Sequence, residues 1–285
     1  MMQVSRRRRA VVILPSGLTL GNLFLGIWAI VSASRGQFEL AAWLIVIAGV
    51  ADMLDGRIAR FTSTGSDFGA ELDSLVDAVS FGVAPAMIMY FLFFQSGLWS
   101  WTIAFLYVAA AIVRLARFNV EQAGMAKTSF HGLPSPAAGG TLATLYPFSQ
   151  TDFFQRHLSH LPWNQLAGGL MLVVAGLMIS HVLYPVVPRF NIRTLGGRLT
   201  IAAAVASLIA AFTIPALFFF PAAITYITWG LGRTVLLGFL ERLPERDPLL
   251  DEDDEQEEDE RDTEYADIRP RRQIRGRQRP PEEIP

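Results

Sequence analysis

Long apolar stretches separated by short polar links fill the chain before residue 240. They fall near 14–34, 38–60, 67–94, 97–117, 133–150, 164–186, 197–214 and 217–238, each close to the ~20 residues a helix needs to cross the hydrocarbon core. The pattern predicts an all-α polytopic integral membrane protein with about eight transmembrane helices. The first stretch follows the basic run Arg6–Arg9, as a signal sequence would, but it is long for one and is interrupted by Pro15, Gly17 and Asn22. It is expected to stay on the protein as a helix. Between the last two stretches, Pro215 and Pro221 leave open a turn between two helices or a kink in one.

Composition agrees with the pattern. Of 285 residues, 52% are hydrophobic and only 18% charged, against about a quarter charged in a soluble domain. The chain has no cysteine, which excludes disulfides, thiolate metal ligands and a cysteine nucleophile. The net charge of −2 conceals an acidic tail set against a basic body, and no nucleic-acid partner is expected.

Arginine placement orients the spans. If the N-terminus is cytoplasmic, Arg6–Arg9, Arg57, Arg60, Arg114, Arg117, Lys127, Arg189, Arg193, Arg198, Arg233 and Arg242 lie inside, and only Arg35 and Arg156 lie outside. Both termini are then inside a bacterial-type plasma membrane. The organisation expected is a basic N-terminus over 1–10, a membrane domain over 11–242 and a disordered tail over 243–285. The tail holds nine acids in the ten residues 251–260, then a basic, proline-bearing block at 269–281, neither able to bury a core.

Carboxylates are scarce before Glu241. Glu39, Glu121 and Asp152 stand alone, and six more crowd into 52–77. Ionisable groups at bilayer depth are costly and mark functional sites. Four of them follow the order D-x2-D-G-x2-A-R-x8-G-x3-D-x3-D from Asp52 to Asp77. On helices, Asp52 and Asp55 share one face, and so do Asp73 and Asp77. Four hard oxygen donors without histidine or cysteine suit Mg2+ or Mn2+. Gly56, Ala59 and Gly69 would let a bulky group approach the helix backbones, and Arg60 could neutralise a phosphate. Acids, bare backbone and arginine together describe a metal–diphosphate–nucleoside site. An ion-translocation path through the same acids, as in a cation transporter, is the rival from another class.

This pattern resembles the signature of the CDP-alcohol phosphatidyltransferases, with every defining position present. The resemblance implies a homodimeric membrane enzyme. Asp52, Asp55, Asp73 and Asp77 would hold two divalent ions, with Asp77 also the general base. Gly56, Ala59 and Gly69 would line the cytidine pocket of CDP-diacylglycerol, and Arg60 and Ser66 would contact its diphosphate. The site would face the cytoplasm, with lipid tails leaving sideways into the bilayer.

The signature does not choose the acceptor alcohol. SFGVAPA at 80–86, RLARFNV at 114–120 and GLPSPAAGG at 132–140 resemble the phosphatidylserine synthase branch, which implies L-serine as acceptor. The opening LPSGLTLGNLFLG at 14–26 is also similar, with Ser16 where an asparagine often stands. Arg114 and Arg117 could hold the serine carboxylate, with Asn119 accepting from its ammonium. Both arginines could equally snorkel at the interface. A sister enzyme acting on glycerol phosphate or inositol phosphate would want more cationic residues than Lys127, the sole lysine or arginine in 118–132.

Overall fold

A computed structural model describes residues 2–62, 67–95, 97, 101–122, 130–180, 182–184 and 195–240. The chain divides into two units, Met1–Val235 and Leu236–Pro285. Of the second, only the helical end up to Leu240 is described; the tail expected from 243 lies outside the described residues.

The first unit is built from helices. Their order is α1 (Met2–Ser34), α2 (Phe38–Thr62), α3 (Asp67–Asp77), α4 (Ala84–Met89), α5 (Trp101–Gln122), α6 (Ser135–Ser149), α7 (Asp152–His157), α8 (Trp163–Ile179), α9 (Leu195–Thr213) and α10 (Pro215–Leu240). A π-helical stretch, Ala78–Val83, joins α3 to α4, and a second, Tyr90–Phe94, extends α4, giving one continuous rod. A two-residue antiparallel pair, β1 (Phe130–His131) with β2 (Leu183–Tyr184), sets Phe130 opposite Tyr184.

Helical segments occur in all eight places where spans were expected. Five are long and apolar enough to cross a membrane: Gly17–Ser34, Phe68–Phe94, Trp101–Val120, Gly196–Thr213 and Pro215–Leu236. The shorter Trp163–Ile179 is also apolar. The expectation of eight crossings therefore goes beyond the five that length and composition support among the described residues. Alpha-helical and apolar to this degree, the chain is an integral membrane protein. Pro215 starts a new helix after a break at Ile214, and Pro221 lies inside α10, so the last two stretches are separate helices.

Gly36 closes the first hairpin. Its φ of 76° is a backbone state glycine adopts without a Cβ penalty, and it ends α1 in a Schellman motif. Its N–H donates to Ala33 O at 2.9 Å and that of Gln37 to Ser32 O at 2.9 Å. The chain then returns as α2, packed along α1 through Ala29, Ala33, Ala41, Ala42 and Ala48, all buried. Small residues let membrane helices come close where no aqueous hydrophobic drive exists.

The rod through α3 and α4 threads between these helices and α5 and α6. Its first π stretch has a traceable cause. Pro85 has no N–H to offer the Phe81 carbonyl, its helical partner four residues back. The turn widens, Ala84 N–H bonds back to Val79 O, and the buried Tyr107 hydroxyl donates to Phe81 O at 2.9 Å. α6 lies against the same turn at Gly139, where a Cβ would stand 2.9 Å from Phe81 O and 3.0 Å from Pro85 Cγ.

Gly139→Ala is therefore expected to destabilise the protein by about 1–3 kcal/mol through overpacking. Gly140→Ala, whose Cβ would meet nothing within 4 Å, is expected to be neutral or slightly stabilising. Thermal unfolding of the two variants in one detergent checks the contrast, and equal midpoints would remove this contact from the account of the fold.

Candidate active site

α2 and α3 bring their acidic ends together. Asp52, Asp55 and Asp73 each offer a carboxylate oxygen, and these oxygens lie within 4.8 Å of one another. Asp55 is buried and the other two half-buried. Asp77, one turn along α3 from Asp73, is also buried and stands outside that trio, with Asp52 as a neighbour. Asp73 Oδ1 and Asp77 Oδ1 are buried without a hydrogen-bond partner. Carboxylates packed this closely repel one another, and in a dry setting the repulsion amounts to several kcal/mol. A hard divalent cation removes the repulsion and satisfies the idle oxygens. The donor set therefore fits such an ion.

α1 completes the site, a contribution that sequence reasoning missed. Thr19 Oγ1 donates to Asp55 Oδ2 at 3.3 Å. Asn22, one turn further, is fully buried and neither its Oδ1 nor its Nδ2 has a partner. Ser80 Oγ donates to the Asn22 carbonyl at 3.1 Å. At Gly26 a Cβ would stand 2.6 Å from Ser80 Oγ, so α1 touches the first π stretch directly there. Thr19, Asn22 and Gly26 are spaced i, i+3, i+7, a polar and small stripe along an apolar helix. That spacing was the available signal.

Gly56 lies in α2 just after Asp55, and Gly69 in α3 one turn before Asp73. Ala59 and Arg60 continue α2, but their side chains, with all of Ser66, lie outside the described residues.

The three residues expected to hold an amino-acid acceptor behave differently from one another. Arg114 is buried on α5, donates to Ser135 Oγ at 3.0 Å and sits 6.0 Å from the centre of the Phe118 ring. It interacts electrostatically with Asp77, and its Nε has no partner. Arg117 donates to the Ile179 carbonyl at 2.9 Å, capping the last turn of α8. Asn119 accepts from Ser74 Oγ at 2.8 Å and donates to Glu71 Oε2 at 3.3 Å. These bonds tie α5 to α8 and α3. Ser135 is the partner that orients Arg114.

Residues 12–182 match the family described as CDP-alcohol phosphatidyltransferase. The chain belongs to that family. As a CDP-alcohol phosphatidyltransferase it is a transferase of phospholipid biosynthesis, embedded in a membrane. It is 38% identical over 172 residues to the CDP-diacylglycerol–serine O-phosphatidyltransferase of Helicobacter pylori J99, covering 60% of this chain and 71% of that one. A protein of the same name from Mycobacterium bovis is 39% identical over 147 residues, 49% of this chain and 51% of its own. The archaetidylserine synthase of Methanothermobacter thermautotrophicus is 34% identical over 186 residues, 65% of this chain and 74% of its own.

Manganese titrated into the detergent-solubilised protein and followed by electron paramagnetic resonance is expected to bind at the acid cluster. Asp55→Asn should weaken binding strongly. Thr19→Val, which removes only the donor that orients Asp55, should weaken it about tenfold or more. Unchanged affinity in both variants would place the cation elsewhere.

Proposed function

We propose that this phosphatidyltransferase moves the phosphatidyl group of CDP-diacylglycerol to the hydroxyl of L-serine, giving phosphatidylserine and CMP. The observation that carries the reading is the convergence of Asp52, Asp55 and Asp73 on one point, within the stretch that matches the family. The serine-specific names of its relatives support the acceptor.

Asp52, Asp55, Asp73 and Asp77 would hold two divalent ions, Mg2+ or Mn2+. When bound, such ions offset the diphosphate charge and the charge that develops on the leaving oxygen. Gly56 and Gly69, which carry no Cβ, are proposed to let a cytidine lie against the helix backbones beside the acids, with Ala59 in the same role. Arg60 and Ser66 are proposed to contact the diphosphate.

Asp77 takes the proton of the serine hydroxyl. Its Oδ1 is buried and unpaired, so it is available to accept one. The serine oxygen then bonds to the lipid-bearing phosphorus as that phosphorus loses its bond to the bridging oxygen, and CMP departs with the electron pair. Arg114 pairs with the serine carboxylate, using the Nε that the protein leaves idle, while Ser135 fixes the guanidinium plane. Arg117 and Asn119 contribute by holding α5 in register with α8 and α3, which keeps Arg114 facing Asp77.

The arginine bias proposes a cytoplasmic site, where CDP-diacylglycerol can enter sideways from the inner leaflet. A homodimer is proposed with it, on family grounds.

The purified protein in detergent, given CDP-diacylglycerol, Mg2+ or Mn2+ and labelled serine, is expected to release CMP and form labelled phosphatidylserine. Release with glycerol 3-phosphate but not with serine would overturn the acceptor. Asp77→Asn is expected to lower turnover by about 10²-fold or more while the protein stays folded. Near-normal turnover in that variant would remove Asp77 as base.

A further inference from the structure

The family match ends at residue 182, and two tyrosines beyond it, Tyr184 and Tyr226, pack ring against ring. Tyr184 lies in β2 and is 2% exposed, yet its hydroxyl has no hydrogen-bond partner. Tyr107 is as deeply buried and does have one, the Phe81 carbonyl. A buried tyrosine hydroxyl ordinarily finds a partner, so the idle Tyr184 hydroxyl calls for a ligand.

Its ring is held firmly. Tyr226 of α10 packs against it with centroids 5.4 Å apart and planes at 35°. One turn beyond Tyr226, a Cβ at Gly230 would overlap the Tyr184 ring, so only glycine lets α10 come this close. From the other side, β2 pairs with β1, and Gly132 N–H donates to Val182 O at 2.9 Å. Tyr226 is also an electrostatic partner of Arg114, whose other such partners are Asp77 and Tyr107. Arg114, which interacts electrostatically with both Asp77 and Tyr226, and the Tyr226–Tyr184 ring pair thus make a linked row.

The unpaired groups along the row are an N–H of Arg114 and the O–H of Tyr184. Both are donors beside a fixed positive charge, which is a setting for an anion with several acceptor oxygens. We propose that Tyr184 and Tyr226 complete, with Arg114, the pocket that holds the anionic end of the acceptor alcohol. The proposal rests on the serine reading above, in which that end is a carboxylate. It places part of acceptor recognition on β2 and α10, outside the stretch that matches the family.

Tyr184→Phe and Tyr226→Phe keep the packed rings and remove only the hydroxyls. In the CMP-release assay each variant is expected to raise KM for serine roughly tenfold, the scale of one hydrogen bond to a charged group. KM for CDP-diacylglycerol should keep its wild-type value. An unchanged KM for serine in both variants would overturn the proposal, and so would a parallel change in both constants, which marks a purely structural role. If the wild-type enzyme uses glycerol 3-phosphate and not serine, the serine reading falls alone. The same comparison with glycerol 3-phosphate, whose anionic end is a phosphate, then decides the tyrosines.

Discussion

Mutual repulsion among carboxylates is the constraint around which this structure is arranged. Oxygens of Asp52, Asp55 and Asp73 share a space less than 4.8 Å across, flanked by apolar helices that offer little solvent to screen them. Within those limits, two unit charges about 4 Å apart repel by about 4 kcal/mol even at an effective dielectric near 20. No lysine or arginine is seen bonded to the cluster among the described residues, and the donors seen there, the Thr19 hydroxyl and the Gly56 backbone N–H, are neutral. The helices must therefore be held together by packing elsewhere, so that the acids stay close when nothing compensates them.

That packing lies toward the other end of the same helices. Alanines of α1 and α2 interlock behind the Schellman turn at Gly36, and Gly26 and Gly139 let α1 and α6 close on opposite sides of the π stretch. The π stretch follows Asp77 directly. It turns the rod after the last acid, so Ser80 meets α1 while Phe81 fills the core between α2 and α6. Pro85 thus acts at a distance from the chemistry. By withholding one N–H it changes which side chains of the rod face the acids and which face the core.

The aspartates were legible in the sequence because their signal is local. Their spacing states which pairs share a helix face, and their scarcity elsewhere makes the cluster conspicuous. Thr19 and Asn22 were not read, since a threonine and an asparagine in an apolar helix have many ordinary explanations until the helix is seen against α2 and α3. The roles of Arg114 and Arg117 were indistinguishable for a related reason. Both sit three residues apart with the same chemistry, and only the positions of Ser135 and Ile179 separate them. Length is a weaker signal. The stretches at 133–150 and 164–186 form helices of 15 and 17 residues, since Pro134 precedes the start of α6 and β2 follows α8, so length alone does not decide whether they cross.

The placement of the charged groups also bears on how one chemistry can serve different alcohols. Phosphoryl transfer needs the acids at fixed distances, and those are set by α1, α2 and the rod, all within the stretch common to the family. An acceptor pocket has no such need. It must only present its donors near Asp77, and here Arg114 extends from the shared stretch toward the ring pair on β2 and α10. α10 packs its rings against Trp43 at the far end of α2 from the acids, and against Phe148 and Tyr184. The acceptor wall can therefore vary while the metal-binding geometry stays as it is, and a signature confined to the acids would not register the difference.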